Sequence, residues 1–220
     1  MRAAREAVVA LCRGLVARGL VVGTAGNVSV RDGDRIAVSP SAVDYAELTP
    51  DTVGVHALDG TPLDAPLRPT SELALHVLLH TRDGAHDGEV VLHTHAPAST
   101  ALSTVVDEVP LTHYYSAFFG GAVRVAPYAT FGTPELAAHV LAAMRGRSAA
   151  LMANHGAVLV APAVAGALDR AAYLEYVCDV ALRALGTGRA PRTLDAAEID
   201  RVAGVLDGHG QGPRGGYAAR

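Results

Sequence analysis

The stretch Asn27-Val28-Ser29-Val30-Arg31-Asp32-Gly33-Asp34-Arg35-Ile36-Ala37-Val38-Ser39 reads as two strands, 27–31 and 35–39, closed by the turn Asp32-Gly33-Asp34. Branched apolar residues on both sides of an Asp-Gly turn are the composition of a β-hairpin. Toward the amino terminus, Val8, Leu11, Cys12 and Leu15 fall at helical spacing over 3–18, and Gly23-Thr24-Ala25-Gly26-Asn27 breaks that pattern. Beyond the hairpin, strands fit 53–58, 89–95 and 123–126, and two more meet around Asn154-His155-Gly156. Helices fit from Pro69-Thr70-Ser71-Glu72 to about 82, from Pro97 onward, over 134–144, over 163–185 and over about 195–206. Thr70 or Ser71 suits the cap of the first of these. An early hairpin followed by alternating strands and helices predicts an α/β or α+β sheet covered by helices. No repeat is visible; 1–207 is expected to form one domain and 208–220 a glycine-rich tail.

The chain has 220 residues, 18 basic and 22 acidic, and a net charge of −4. That balance gives no reason to expect nucleic acid or an anionic membrane as partner. Half the residues are hydrophobic and 18% are charged, which excludes a disordered chain. All 18 basic residues are arginine. Without lysine there is no Schiff base to a carbonyl substrate and no internal pyridoxal phosphate linkage, so chemistry at a carbonyl carbon needs another electron sink. Cys12 and Cys178 stand in amphipathic stretches and read as small core residues. Arg13 and Arg18 interrupt the apolar run from Val8, which does not suit a signal peptide. The uncharged stretch 148–168 holds Asn154, His155, Gly156 and Pro162, which suits two buried strands and a turn better than a membrane span. A cytoplasmic protein is expected.

Chemistry concentrates in the histidines. His93-Thr94-His95 lies on a predicted strand, whose period of two puts both imidazoles on one face. Two such nitrogens can share a divalent metal, with a third ligand from elsewhere. His155, in Asn-His-Gly, is the candidate third ligand, because the following glycine leaves room for close approach. Taken singly each of these histidines reads as a core residue; taken together they read as a ligand set. Glu72, His76 and His80 share a helix face at i, i+4 and i+8. His76 and His80 have the histidine spacing of the zinc-protease helix, but Val77 stands where that motif needs its general base. His80 is therefore expected on the helix surface and His76 in packing or behind the ligand residues, with His56, His86 and His139 solvated or in loops. Gly23-Thr24-Ala25-Gly26-Asn27 and the helix start at Thr70-Ser71 read singly as a plain turn and a plain N-cap, but together they look like an anion site, by backbone N–H groups and the helix dipole.

In order along the chain stand Thr24-Ala25-Gly26-Asn27-Val28-Ser29-Val30-Arg31, Thr70-Ser71-Glu72, His93-Thr94-His95-Ala96, Pro127-Tyr128-Ala129-Thr130-Phe131-Gly132-Thr133 and Asn154-His155-Gly156. This series resembles the class II aldolase and adducin family over residues 1 to about 200. The resemblance implies a single three-layer α/β/α domain with a central, mostly antiparallel sheet, assembled as a homotetramer with active sites at subunit boundaries. It implies one Zn²⁺ per subunit, with Mn²⁺ or Co²⁺ as substitutes, held by His93, His95, His155 and Glu72. Glu72 would complete the resting coordination, leave the metal when substrate binds, and act as the catalytic base. Phosphate would lie among Gly26, Asn27, Ser41, Ala42, Thr70 and Ser71, with an arginine as a further contact. Tyr114 would act at the aldehyde oxygen, and Phe131 would wall the aldehyde pocket with His209 near it.

The implied reaction is reversible cleavage of L-fuculose 1-phosphate, or a close deoxy-ketose 1-phosphate such as 5-deoxyribulose 1-phosphate, to dihydroxyacetone phosphate and a short aldehyde. The metal is then the electron sink that an absent lysine leaves open. Ala42 replaces a family glycine, Phe118-Phe119 replace small residues, and a family tyrosine near the carboxy terminus has no clean match, with Tyr217 in the longer tail. Two rivals remain within the resemblance: a pentulose-5-phosphate 4-epimerase, which would carry aspartate at Glu72, and a non-catalytic adducin-like interaction module, which tends to lose the ligands. A dehydratase of methylthioribulose phosphate is a more distant relative of the same motifs.

Overall fold

The computed structural model describes residues 1–208. The hairpin is present: β1 (Asn27–Asp32) pairs antiparallel with β2 (Arg35–Val38), matching Ser29 with Val38 and Asp32 with Arg35. Around it form α1 (Arg2–Ala17), β3 (Gly54–Ala57), β4 (Pro62–Asp64), α2 (Leu73–Thr81), β5 (Val90–Thr94) and α3 (Pro97–Leu102). The chain continues through β6 (Val125–Ala126), α4 (Pro134–Ala143), β7 (Ala149–Met152), β8 (Gly156–Ala161), α5 (Ala167–Leu185) and α6 (Ala196–Gly208). One sheet runs β4-β3-β2-β1-β5-β8-β7-β6, antiparallel throughout except for the β6–β7 pair.

The sheet is the middle of three layers. Val90 and Leu92 of β5 and Ala157, Leu159 and Ala161 of β8 join one apolar cluster with Val8, Leu11 and Leu15 of α1, Leu102 of α3 and Leu174 and Val177 of α5. Val91, Val158 and Val160 point the other way, into a cluster with Leu75 and Leu79 of α2 and Leu136 and Val140 of α4. Strands buried on both faces read as continuous apolar runs, which is why 148–168 looked membrane-like in composition. Among the described residues no helix is long and apolar enough to cross a membrane. Cys12 and Cys178 are free and buried, as expected, and burial pushes the Cys12 thiol up to about 12.

Several expectations need correction. His80 is fully buried, because α2 packs beside α4 on one face of the sheet and turns its polar stripe inward onto β1. His56 is also buried, with Nδ1 against the Gly60 carbonyl at 3.2 Å. α2 begins at Leu73, not at Pro69: the Thr70 hydroxyl accepts the Glu72 N–H at 3.3 Å and makes a turn of those residues. α5 starts at Ala167, after Gly166 in the left-handed region. Tyr114–Phe119 forms a short 3₁₀ helix the sequence did not announce, and it carries Phe118 and Phe119 into the core, where Phe118 stacks on Tyr173 with centroids 4.8 Å apart.

Candidate active site

Antiparallel pairing of β5 with β1 and β8 brings three histidines to one end of the sheet. His93 follows Val91 on the α2 face of β5, and its Nδ1 donates to the Ala157 carbonyl at 2.9 Å. That bond fixes the tautomer and leaves Nε2 as a lone pair. His95 stands just past the strand, its N–H held by the Leu20 carbonyl at 3.2 Å. His155 sits in the turn between β7 and β8, where Asn154 takes φ +57°, a left-handed value asparagine tolerates. Nε2 of His93 and Nε2 of His95 are 2.8 Å apart, and one ligand atom from each of His93, His95 and His155 lies within 4.8 Å of the others. Gly156 permits this: a Cβ there would stand 2.2 Å from the Thr94 carbonyl oxygen.

Burial, reinforced by neighbouring imidazoles, lowers His95 and His155 to about 4. Burial alone lowers His93 to about 4, against the Ala157 hydrogen bond, which raises it. All three are thus neutral near pH 7, the form that binds a metal. Glu72, 4% exposed, completes the group. Its Oε2 lies 3.0 Å from His93 Nε2 and accepts Asn27 Nδ2 at 2.9 Å. Its Oε1 is 3.7 Å from His155 Nε2 and, though buried, has no hydrogen-bond partner. An unpaired carboxylate oxygen beside three converging imidazoles is costly unless a cation joins them. Three nitrogens and a carboxylate are a donor set for a divalent metal.

Glu72, His95 and His155 open into a cleft of about 370 Å³. Its far wall comprises Thr24–Asn27, Ser41, Ala42, Thr70 and Ser71, so the structure gathers the whole expected anion set. Among the described residues, the N–H groups of Gly26, Ala42 and Ser71 and the hydroxyls of Thr24, Ser41 and Ser71 have no intramolecular partner. No arginine lines the cleft, so the expected arginine contact is not found there. Ala42 holds φ +57°, which keeps the shape of a glycine turn at a cost. Gly26 is pressed closely: a Cβ would lie 2.7 Å from the His93 carbonyl oxygen.

Phe131 lines the cleft and is 63% exposed. Tyr114 does not line it; within one chain it packs against His113 at 4.5 Å and Tyr115 at 4.8 Å between centroids. His209 and Tyr217 lie outside the described residues. Tyr128 and Asn154 line the cleft without having been given roles from sequence. Their signal was available, an aromatic and an amide inside the two loop motifs.

The model of the class II aldolase and adducin N-terminal domain matches residues 6–182. The chain belongs to the class II aldolase and adducin family. This class II aldolase is 34% identical over 209 residues to the 5-deoxy-D-ribulose 1-phosphate aldolase of Bacillus thuringiensis, covering 94% of this chain and 97% of that one. It is 38% identical over 202 residues to the 5-methylthioribulose-1-phosphate/5-deoxyribulose-1-phosphate aldolase of Rhodospirillum rubrum, covering 91% and 89%. Among solved structures, an L-fuculose 1-phosphate aldolase superposes with a TM-score of 0.87 at 32% identity, covering 93% and 96%. The family is metal-dependent, and the histidine triad of this class II aldolase is where a metal could bind.

Proposed function

We propose that this class II aldolase reversibly cleaves a deoxy-ketose 1-phosphate, 5-deoxyribulose 1-phosphate or L-fuculose 1-phosphate, to dihydroxyacetone phosphate and a short aldehyde. The observation that carries this is the pairing within one cleft of a metal-type donor set with an anion receptor. His93, His95, His155 and Glu72 would hold the metal, which we assign as zinc. When bound, such a cation supplies a Lewis acid that polarises a carbonyl and offsets the charge left on breaking a carbon–carbon bond.

The remaining work falls to the chain. Free N–H groups at Gly26, Ala42 and Ser71, with the hydroxyls of Thr24, Ser41 and Ser71, hold the phosphate without any cationic side chain. Thr70 supports them by setting the turn before α2, and Asn27 contributes by its side chain to Glu72. Glu72 moves the proton: in condensation it takes one from the hydroxyl-bearing carbon of dihydroxyacetone phosphate, and in cleavage it returns it. Asn27 occupies Oε2, so Oε1, which would hold the metal only in the resting site and give up that place when substrate binds, is the oxygen left for that transfer. Phe131 covers the aldehyde's terminal methyl.

Tyr114, half exposed and outside its own chain's cleft, acts in a neighbouring cleft of a homotetramer, where its phenol reaches the aldehyde oxygen. Residues 1–207 form the catalytic domain of a cytoplasmic enzyme. The presence of glutamate at position 72 and of all three histidines favours this aldolase over a 4-epimerase or an interaction module.

The test is release of dihydroxyacetone phosphate, coupled to a reductase, from 5-deoxyribulose, L-fuculose and L-rhamnulose 1-phosphates, with ribulose 5-phosphate followed separately for epimerisation at C4. Turnover of at least one ketose 1-phosphate is expected. Epimerisation of the 5-phosphate with no release from any 1-phosphate overturns the proposal.

A further inference from the structure

The polar stripe of α2 faces the polar stripe of β1. Glu72, His76 and His80 recur every four residues on the helix, while Asn27 and Ser29 recur every two on the strand, and the two rows interdigitate. Asn27 Nδ2 meets Glu72 Oε2 at 2.9 Å, and Asn27 Oδ1 meets His76 Nε2 at 2.5 Å. The Ser29 hydroxyl lies 2.6 Å from His76 Nδ1 and 2.7 Å from His80 Nε2. All five side chains are buried.

Chemistry fixes the direction of this chain. An ionised carboxylate only accepts, so Asn27 must turn its NH₂ to Glu72 and its carbonyl oxygen to His76. That oxygen only accepts, so His76 carries its proton on Nε2 and leaves Nδ1 as an acceptor. Ser29 therefore donates to His76 and accepts from His80 Nε2–H. Arg82 engages both oxygens of Glu89, at 2.7 and 2.6 Å, and His80 Nδ1, 3.9 Å from that carboxylate, is left as the unprotonated end. Every donor in the row points toward Glu72. Reversing any one member would turn Asn27 and set its oxygen against the carboxylate.

We propose that His76 is a positioning residue for the reaction: with Ser29 and His80 it locks the Asn27 carboxamide so that Oε2 of Glu72 is held by the protein and Oε1 is left without a protein hydrogen bond. Its catalytic consequence rests on Glu72 being the base, as proposed above; its geometry does not.

Two measurements test it. In metal-free protein labelled with ¹⁵N-histidine, His76 and His80 should both show the neutral Nε2–H tautomer, and either one as Nδ1–H overturns the proposal whatever the substrate is. In the metal-loaded enzyme, His76→Leu should lower kcat about 10–100-fold while KM and metal content stay near wild type. His76→Gln, which can still present an N–H to Asn27, should recover most of the loss. A His76→Leu enzyme within about twofold of wild type in kcat, or a glutamine variant no better than the leucine one, contradicts it. If His76→Leu does not fold, Ser29→Ala replaces it with the same expectation of lowered kcat at unchanged KM, and the tautomer measurement on wild type still decides. A wild type inactive on every ketose phosphate would sink the proposed function and leave the tautomer result standing alone.

Discussion

Glu72 and His155 bring a carboxylate oxygen, Oε1, and an imidazole nitrogen, Nε2, to 3.7 Å with no hydrogen bond satisfying the oxygen. Nothing in packing alone accounts for that arrangement. A buried anion left half-paired beside three neutral imidazoles costs stability that well-packed apolar residues would not. The cost is explained if this end of the sheet is built for a cation and a proton transfer.

Glu72→Gln keeps the shape and removes the base. Turnover should fall about 10²–10⁴-fold, with the binding of a phosphate-bearing inhibitor within a few-fold of wild type. Steady-state kinetics and calorimetric titration of the inhibitor check both halves. Undiminished turnover would mean the proton goes elsewhere.

Gly156→Ala forces a methyl to 2.2 Å from the Thr94 carbonyl and against the His93 ring. The strands β5 and β8 must part, which should cost about 1–3 kcal/mol and loosen the ligand set. Urea melts and metal content per chain read the two effects separately.

Ala42→Gly should do the opposite. At φ +57° an L-residue carries strain that glycine does not, so the variant should gain about 0.5–1 kcal/mol after its extra unfolded-state entropy is charged against it. The KM for the sugar phosphate should stay near wild type. A lowered melting temperature would show that the turn is not strained.

Stability of the metal-free protein should fall with acid. Burial first, then Arg82 and Arg31, lowers His80 from 6.5 to about 3, and burial lowers His76 in the same direction. The unfolded chain thus binds protons that the folded one refuses between pH 6.5 and about 3. The stabilisation is complete above 6.5 and is lost as pH falls through that window. Urea midpoints measured across that range should decline with acid, and less steeply in His80→Gln.

The hairpin, the doubly buried strands and the histidine set were legible in the sequence because each rests on a local rule: an Asp-Gly turn, an apolar run, two imidazoles at period two. His80 was not. Its surface character followed from the helix alone, whereas its burial follows from α2 laying its polar stripe on β1 beside α4, a fact of tertiary packing. The same holds for Ala42, whose left-handed φ no composition announces, and for the 3₁₀ turn at Tyr114–Phe119, too short to show a period. β4 escaped notice because its three residues are exposed and carry no apolar alternation. The small polar residues that line the cleft were readable as motifs, but the lack of arginine among them needed the fold.

The central claim is that this class II aldolase releases dihydroxyacetone phosphate only with a metal at His93, His95 and His155. The direct measurement strips the protein with chelator, confirms metal loss by elemental analysis, and follows release from the best ketose 1-phosphate before and after zinc is returned. The account predicts activity that vanishes on stripping and returns with about one equivalent of metal per chain. Activity that survives complete removal would contradict it.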